Sequence, residues 1–489
     1  MSNAISHTMR ADGPRPGTRG GRSDASRKPD VVRKPDGSAV AGAPRSPSAG
    51  MRTALYVPWI RLHGDVLLHQ VFDASPAVRL ESFPIVPEGD ERRRRALIHF
   101  AARLPGVFAR MVERDLRARG SQVDVIVLTL DWVAPMRVLA RVAQDLGIPV
   151  VVMPHEAVFF DADRFYCNRL DGACVPIADL FLCWGSSQRD VIVARGFPAE
   201  RVRVVTSPKL EGARRYDAQL TRAEYAARLG LDASRPIVLF AGQTLDNVAD
   251  MPGARARQVE ALVDASAATR ALGQQLLIRM PPVDHSGAME RGIDERLAEL
   301  GHPVVTYDPD RVETHPREAL RHCECVVSIS STMLLEKALM DGPSLALDYI
   351  GETSPFITRG GLPAARSRDE IEARLRELVG RGTHAFPPEG WQRMAHDYSD
   401  GGFGRVDPHV AIVDEITGLP RPGPLPAPRR GARERLRAGL DRAARSAFEM
   451  VFDLPFGRQA LGYLLPIGRR DVVERLRRPE RGAEGGSRA

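Results

Sequence analysis

Short, continuous apolar runs alternate with segments of helical spacing along most of this chain, and this alternation constrains the fold more than any other feature. In the first half the runs fall at 52–57, 123–130, 150–153, 180–184 and 202–205. A second series falls at 236–240, 275–278, 304–307, 325–329 and 344–347. Continuous apolar strands separated by helices are typical of parallel sheets that are covered on both faces. The sequence therefore predicts an α/β protein.

The two series indicate two domains. A chain of 489 residues is longer than a single hydrophobic core usually accommodates, and the strand pattern breaks near residues 207–235. We therefore expect two Rossmann-like, doubly wound parallel-sheet domains, over residues 51–215 and 216–418. Domains of this kind that face each other bind their ligand in the cleft between them, outside the carboxyl ends of the strands.

The two ends of the chain have a different composition. Residues 1–50 are rich in Gly, Pro, Ser and Arg and hold few large apolar side chains, so we expect a disordered tail. Residues 419–489 begin as a Pro-rich linker and continue as a basic segment, in which Leu436, Leu440, Ala444 and Phe448 recur every four residues among arginines. Such an amphipathic helix can lie on anionic lipid or pack on the protein's own core, and both alternatives stay open.

Charge and composition narrow the choice of partners and compartment. The net charge is +7, but residues 1–50 hold nine basic and four acidic side chains and residues 421–489 hold sixteen and eight, so the middle of the chain is acidic. With only 6% aromatic residues, nucleic acid is not an expected partner. There is neither a signal-peptide pattern nor a long apolar run, so a cytoplasmic location is expected. The five cysteines have no zinc-site spacing, and reduced thiols are expected.

The strongest local motif follows the run at 325–329. Ser330, Ser331 and Thr332 stand at the start of a helix, where hydroxyls, backbone amides and the helix dipole together suit a phosphate group. Glu336, about one turn later, is placed to accept hydrogen bonds from a ribose. The alternative is ordinary helix capping by Ser331 or Thr332, with Glu336 merely favourable in the first turn.

Two other strand ends of the second half also finish in polar groups. Gly242, Gln243 and Thr244 follow one strand, and Arg279 stands at the exit of the next. Taken singly, Gln243 is explained as a turn residue and Arg279 as a surface ion-pair partner. Because the carboxyl ends of parallel strands meet at one edge of a sheet, the three strand ends together predict an anion or nucleotide site.

Candidate general bases follow strands of the first half. Asp131 ends one buried run, and His155 and Glu156 end the next. A strand-end carboxylate or imidazole that faces a cleft can deprotonate a sugar hydroxyl. Asp131 is equally explained as the cap of the following helix, and His155 and Glu156 as residues that hold a loop.

Several of these segments resemble the two-domain GT-B glycosyltransferases, in particular the bacterial group that makes surface and capsular polysaccharides and includes Kdo, sialyl and CDP-glycerol transferases. Residues 146–155 resemble a strand that leads to a His-containing loop, and residues 328–343 resemble the donor-binding segment. Residues 178–208 resemble a pattern that ends in Gly-Ser-Pro, with Thr206 in place of Gly. The resemblance implies a metal-independent transferase without a cofactor, which moves a sugar from a nucleotide-sugar donor to a glycan or lipid-linked acceptor. Peripheral inner-membrane contact through the C-terminal tail is the expectation that follows where the amphipathic helix lies on anionic lipid.

The resemblance does not decide which nucleotide sugar is the donor. The resemblance favours a CMP-sugar, but the related enzymes have a basic-x-His-Pro motif at the strand end where this chain has Arg279-Met280-Pro281-Pro282, without a histidine. UDP-sugar 2-epimerases share the fold, so an epimerase is the first alternative. A catalytically inactive protein that binds glycans or partners in polysaccharide assembly is the second alternative.

Overall fold

The computed structural model describes residues 50–59, 64, 66–85, 91–155, 174–243, 253–280, 293–351, 354–381, 386–425 and 431–465. Within these ranges the strands form two six-stranded sheets, one in each half of the chain, and every strand pairing is parallel. The predicted disordered segment and the end of the predicted basic tail lie outside the described residues.

The first sheet has the order β2-β1-β3-β4-β5-β6 and the second the order β9-β8-β7-β10-β11-β12. The strands of the first sheet are β1 (Arg52–Tyr56), β2 (Val78–Ser82), β3 (Val125–Leu128), β4 (Val150–Val152), β5 (Leu180–Cys183) and β6 (Val202–Val204). Those of the second are β7 (Ile237–Ala241), β8 (Gln275–Met280), β9 (Val304–Thr306), β10 (Cys325–Ser328), β11 (Ser344–Leu347) and β12 (Ala364–Ala365).

Helices connect and cover these strands. In the first half they are α1 (Val66–Phe72), α2 (Glu91–Arg103), α3 (Pro105–Arg119), α4 (Ala134–Asp145), α5 (Ser186–Ala194) and α6 (Pro208–Arg214). In the second half they are α7 (Arg222–Leu229), α8 (Ala254–Ala271), α9 (Ile293–Leu300), α10 (Pro316–His322), α11 (Met333–Ala338), α12 (Pro355–Thr358), α13 (Arg368–Arg381) and α14 (Pro388–Tyr398). The last three are α15 (Pro408–Gly418), α16 (Ala432–Phe452) and α17 (Gly457–Leu464).

Both faces of each sheet are buried, which is why the strands are continuously apolar. In β3, Val125 and Val127 belong to one hydrophobic cluster and Ile126 and Leu128 to another. The strands of the second sheet divide in the same way between two clusters. Alternate side chains of a strand point to opposite faces, so a sheet with helices on both sides needs apolar residues at every position.

The predicted fold class is confirmed: the protein is α/β, with two Rossmann-like, doubly wound parallel sheets. The second sheet, numbered within its own half, has the order 3-2-1-4-5-6 that is typical of dinucleotide-binding folds. All ten predicted strands are present, and two others, β2 and β12, were not predicted. In β2 only Val78 is buried, so this edge strand has no continuous apolar run, and β12 has only two residues.

The chain returns to the first half after the second sheet. Ile412 and Ile416 of α15 belong to the same core cluster as Ala54 and Tyr56 of β1. In α16, Phe448 and Phe452 join the core cluster formed by β1, β3 and the helices α2 to α4. Up to α14, each α/β half is therefore formed by one continuous stretch of chain. The helices after α14 pack on the first half.

Helix α16 tests part of the sequence interpretation. Its residue Phe448 is buried, as the alternative of packing on the protein's own core requires, whereas Leu436 and Leu440 are 67% and 63% exposed. Asp441 fixes the helix in place, because its carboxylate accepts hydrogen bonds from Arg110 at 2.7 Å and Arg114 at 3.0 Å. One face of this helix is therefore packed and another is exposed.

The cysteines depart from the expectation at one position. Cys183, Cys323 and Cys325 are buried free thiols, as expected. Cys174 is disulfide-bonded, so the expectation that all the thiols are reduced is wrong at that residue.

A close backbone contact between α14 and the start of α5 generates a prediction. A Cβ at Gly185 would lie 1.8 Å from the carbonyl oxygen of Asp397, whereas a Cβ at Gly439 in α16 would meet no atom within 4 Å. Gly185→Ala is therefore expected to lower the free energy of unfolding by about 1–3 kcal/mol, because backbone must move. Gly439→Ala, the matched control, should raise it by about 0.5–1 kcal/mol through helix propensity. Urea unfolding measures both, and equal effects of the two changes would contradict the contact.

Candidate functional site

The polar strand ends of the second half meet where β7 and β10 pair, which is the point at which the strand order reverses. Gln243, after β7, donates from Nε2 to Oγ of Ser330, after β10, at 2.7 Å. The amide of Gly242 donates to the carbonyl oxygen of Arg279 at 2.9 Å. The ends of β7, β8 and β10 therefore lie together at the edge of the sheet where ligands of such folds bind. Of the residues at these ends, Arg279 lines the pocket described below, whereas Gly242, Gln243 and Ser330 do not.

The hydroxyl groups at the start of α11 are bonded within the protein. Oγ of Ser331 accepts a hydrogen bond from the amide of Met333 at 3.3 Å, which is the capping interaction that the sequence left open. Oγ1 of Thr332 accepts from Nζ of Lys209 at 2.7 Å and donates to Oε1 of Glu336 at 2.9 Å. These hydroxyls thus position other side chains of the site.

A pocket lies between the two halves and is referred to below as the cleft. Its lining residues are Val66, Leu67, Gln70, His155, Lys209, Arg279, Tyr307, His315, Pro316, Arg317 and Glu336. The first four come from the first half, Lys209 comes from α6 and the others from the second half. Among these residues three are cationic and one is a carboxylate, so the cleft has an excess of positive charge.

Arg279 is the most deeply placed cation of the cleft. It lies near the end of β8 and is 7% exposed. Its Nε is buried and has no hydrogen-bond partner among the described residues. Burial lowers the pKa of Arg279, although the nearby Glu336 acts in the opposite direction. A buried guanidinium without an ion-pair partner is a ready site for an anion.

Lys209 links the two halves at the cleft. Its Nζ lies 3.4 Å from Oε1 of Glu336, whose side chain is 2% exposed, while that of Lys209 is 33% exposed. Lys209 follows Ser207, which caps α6 by accepting from the amide of Leu210. The ion pair therefore joins the helix after the first sheet to the helix after β10, and Glu336 holds Lys209 at the cleft.

Arg317 contributes the third cation. Its Nη2 donates to the carbonyl oxygen of Lys209 at 3.2 Å, and burial lowers its pKa. The guanidinium fits because Gly212 has no side chain: a Cβ there would lie 2.6 Å from Nη2 of Arg317. Glycine is favoured at position 212 because the guanidinium of Arg317 approaches closely, and not because of the backbone conformation.

His315 is a neutral imidazole that carries its proton on Nε2, so Nε2 can donate a hydrogen bond. Its Nδ1 accepts the amide of Arg317 at 3.3 Å, as the cap of α10, and this fixes the proton of the neutral ring on Nε2. The ring stacks on Tyr216 with centroids 5.3 Å apart. Burial, together with Arg317 and Arg279, lowers the pKa of His315 to about 4.

His155 has the opposite tautomer. Its Nδ1 lies 3.1 Å from the carbonyl oxygen of Thr129, and a carbonyl can only accept, so in the neutral ring the proton is on Nδ1 and Nε2 carries the lone pair. The residue is 5% exposed and stacks on Trp132 with centroids 6.3 Å apart. In the neutral rings, Nε2 therefore carries the lone pair in His155 and the proton in His315.

Of the other predicted site residues, those that the structure describes do not line the cleft. Asp131 is fully buried, and its carboxylate accepts a hydrogen bond from the amide of Ile177, so it holds the chain before β5. Glu156 and Thr244 lie outside the described residues. The catalytic roles of Asp131 and Glu156 remain predictions.

Five polar lining residues were missed by sequence reasoning: Gln70, Lys209, Tyr307, His315 and Arg317. Two signals were present in the sequence. Lys209, one of four lysines in the chain, directly follows the Thr206-Ser207-Pro208 motif, and His315-Pro316 is a His-Pro pair of the kind that is missing after Arg279. The pair occurs after the next strand, β9, and its histidine lines the same cleft as Arg279.

The described residues contain no group of three or more His, Cys, Asp or Glu side chains arranged to hold a metal ion. Independence from metal ions remains a prediction.

Comparisons with known proteins identify similar structures only. No protein-family model and no curated protein matches the chain. UDP-GlcNAc 2-epimerase from Methanocaldococcus jannaschii has a TM-score of 0.49 and 11% identity, over 75% of this chain and 99% of that one. A structure of S. aureus MnaA with UDP has a TM-score of 0.49 and 11% identity, over 75% of this chain and 96% of that one. Anabaena Alr3699/HepE with UDP and glucose has a TM-score of 0.48 and 13% identity, over 75% of this chain and 100% of that one.

The lowered pKa of His315 generates a prediction about pH. Between the pKa of about 4 in the folded protein and the ordinary value of 6.5, only the unfolded chain takes up the proton, so wild-type stability falls as pH drops through this range. His315→Asn keeps a capping oxygen but does not titrate. From pH 7 to 4.5 the wild type should lose on the order of 1 kcal/mol more than the variant. Urea unfolding at both pH values measures this, and parallel losses would contradict the assignment.

Proposed function

We propose that this protein is a nucleotide-sugar-processing enzyme that breaks the bond between the anomeric carbon and the phosphate oxygen. The observation that carries the proposal is the cleft itself, in which Lys209, Arg279 and Arg317 surround a carboxyl end of a Rossmann-like sheet. Glu336 is the one carboxylate among the described lining residues and pairs with Lys209, so a sugar diphosphate would supply negative charge for the other two cations. The nucleoside would lie on the second half, where folds of this kind bind nucleotides.

The cations supply what the bond-breaking step requires. Negative charge develops on the departing phosphate oxygen, and fixed positive groups in a partly dry site stabilise such charge without reorganisation. Arg279 is suited to this role by burial and Lys209 by the ion pair that positions it. The neutral Nε2–H of His315 adds a hydrogen-bond donor beside them.

Of the reactions that begin with this step, inversion at carbon 2 of the sugar is favoured by the two imidazoles. An epimerase removes a proton from one face of that carbon and returns a proton to the other face, so it needs an acceptor and a donor at one sugar. His155, from the first half, accepts through Nε2, and His315, from the second half, donates through Nε2. The proton leaves carbon 2 and the diphosphate leaves the anomeric carbon, which together make a balanced elimination. The reverse addition restores the nucleotide sugar.

Glycosyl transfer is the second candidate. It is favoured by Gln70, a lining residue of α1 that is exposed, because the cleft therefore opens to solvent beside the first half. An acceptor hydroxyl that enters there would meet His155 as its base. The acceptor in this case would be a glycan or a lipid-linked glycan, and the donor a CMP-, CDP- or UDP-sugar.

Arg279→Met separates binding from stability. The change removes a buried charge, so the free energy of unfolding of the free protein should stay the same or rise by up to about 2 kcal/mol. Stabilisation by the best ligand among UDP, CMP, CDP and GDP should be lost. Thermal unfolding with and without each nucleotide measures both effects, and a variant that is less stable yet still stabilised would contradict the role of Arg279.

Arg366→Met is the matched control, because Arg366 pairs with the buried Asp348 at 2.6 Å and does not line the cleft. It should lose about 1–3 kcal/mol of stability and keep the full response to nucleotide. A wild type that responds to none of the four nucleotides would support the inactive binding protein and reject the enzyme.

A solvent-exchange experiment distinguishes the two reactions. Incubation with UDP-N-acetylglucosamine in deuterium oxide should place deuterium on carbon 2, detected by proton NMR, if the enzyme is an epimerase. His155→Gln should slow the exchange at least about 100-fold while nucleotide stabilisation persists, and His396→Gln, an exposed histidine outside the lining, should not. Nucleotide release only with added glycan, without deuterium in the donor, would instead establish transfer.

A further inference from the structure

The outer face of α16 carries an apolar stripe that the described fold leaves exposed. Leu436, Leu440, Met450 and Leu454 are 67%, 63%, 69% and 57% exposed, and Ala443 and Ala447 between them are exposed as well. The steps between these six residues are four, three, four, three and four, so they lie on one side of the helix and its continuation. They are called the outer stripe below.

The outer stripe lies opposite the face that packs on the protein. Ala438, Asp441, Phe448 and Phe452 are the buried residues of α16, and at about 100° per residue they centre roughly half a turn from the stripe. Phe448 and Phe452 already belong to the core of the first half. The stripe is therefore additional to the apolar surface that the helix needs for its own packing.

Arginines flank the stripe on both sides. At about 100° per residue, Arg433 and Arg437 lie along one border, and Arg435 and Arg442 along the other; all four are exposed. Of the four carboxylates between residues 431 and 465, Asp441 is bound by Arg110 and Arg114 and Glu449 by Arg445. The accessible charge around the stripe is thus predominantly positive.

Further apolar side chains are exposed after α16. Phe456 is 79% exposed, and Tyr463 and Leu464 of α17 are 92% and 75% exposed. Isolated exposed apolar residues are ordinary, but the six residues of the outer stripe lie together on one helix face and mark an interaction surface.

We propose that the outer stripe binds the surface of an anionic lipid bilayer, with its apolar side chains among the acyl chains and the flanking arginines at the headgroups. Apolar residues bordered by cations are the pattern of helices that lie in a membrane interface. Within the part of the chain that the structure describes, no helix is both long and apolar enough to cross a bilayer. The protein would therefore lie on the membrane through this face.

A second copy of the chain fits this surface less well. In a two-fold interface the same patch meets itself, so the arginines along both borders would approach the arginines of the other copy. Anionic headgroups instead complement both borders at once. The charge pattern therefore selects lipid as the occupant.

The test uses the full chain and sedimentation with sucrose-loaded vesicles of phosphatidylcholine alone or with one third phosphatidylglycerol. We expect binding to the anionic vesicles that weakens as salt is raised, because part of the attraction is electrostatic. Leu440→Glu with Met450→Glu should reduce the partition coefficient at least about tenfold. Arg437→Gln with Arg442→Gln should reduce it about tenfold on anionic vesicles only.

Val410→Glu is the matched control, since Val410 is a 58% exposed apolar residue of α15 away from the stripe, and it should bind as the wild type does. All variants should keep the wild-type unfolding temperature and nucleotide response, which separates this proposal from the proposed reaction. Wild-type protein that binds neither vesicle would overturn the proposal. So would a wild-type dimer in sedimentation equilibrium, without lipid, that Leu440→Glu dissociates.

Discussion

The burial of Arg279 is the constraint on which the functional interpretation depends. Arginine stays charged in proteins even when burial lowers its pKa, so β8 brings a full positive charge to the edge of a dry sheet. Its Nε has no partner in the described part of the chain. Glu336 is nearby but pairs with Lys209, so one carboxylate faces three cations of the cleft. This excess of buried positive charge is the reason for proposing that the cleft binds an anion.

The parts of the fold and site that depend on local pattern could be predicted from the sequence. The ten continuous apolar strands were found because both faces of each sheet are buried, and the contact between Gln243 and Ser330 follows from parallel strands that end at one edge. Strand β2 was missed because an edge strand with one buried residue has no such pattern. Lys209, His315 and Arg317 were missed for another reason: they reach the cleft from helices and loops, whose positions depend on tertiary packing that periodicity does not encode.

Thr206 illustrates what a departure from a resemblance means physically. The glycosyltransferase group that residues 178–208 resemble has glycine at this position. In this chain Thr206 has a φ of 64°, in the left-handed region that favours glycine. Its Oγ1 accepts the amide of Asp400 at 2.8 Å, a bond that glycine cannot make. The strained backbone is thus held by a side-chain contact to the segment that returns from the second half, directly before the helix that carries Lys209.

The two faces of α16 give the two halves of the molecule different surroundings. Phe448 and Phe452 share a core with Leu130, and Trp132 packs on that core and stacks on His155. The outer stripe and His155 therefore belong to one packed body, whereas Arg279 and His315 belong to the other. In the proposed arrangement, a bilayer bound through α16 would hold the half that carries His155, and the half that carries Arg279 and His315 would make no contact with lipid through this helix. The proposed base would then stay with the first half and the leaving phosphate with the second.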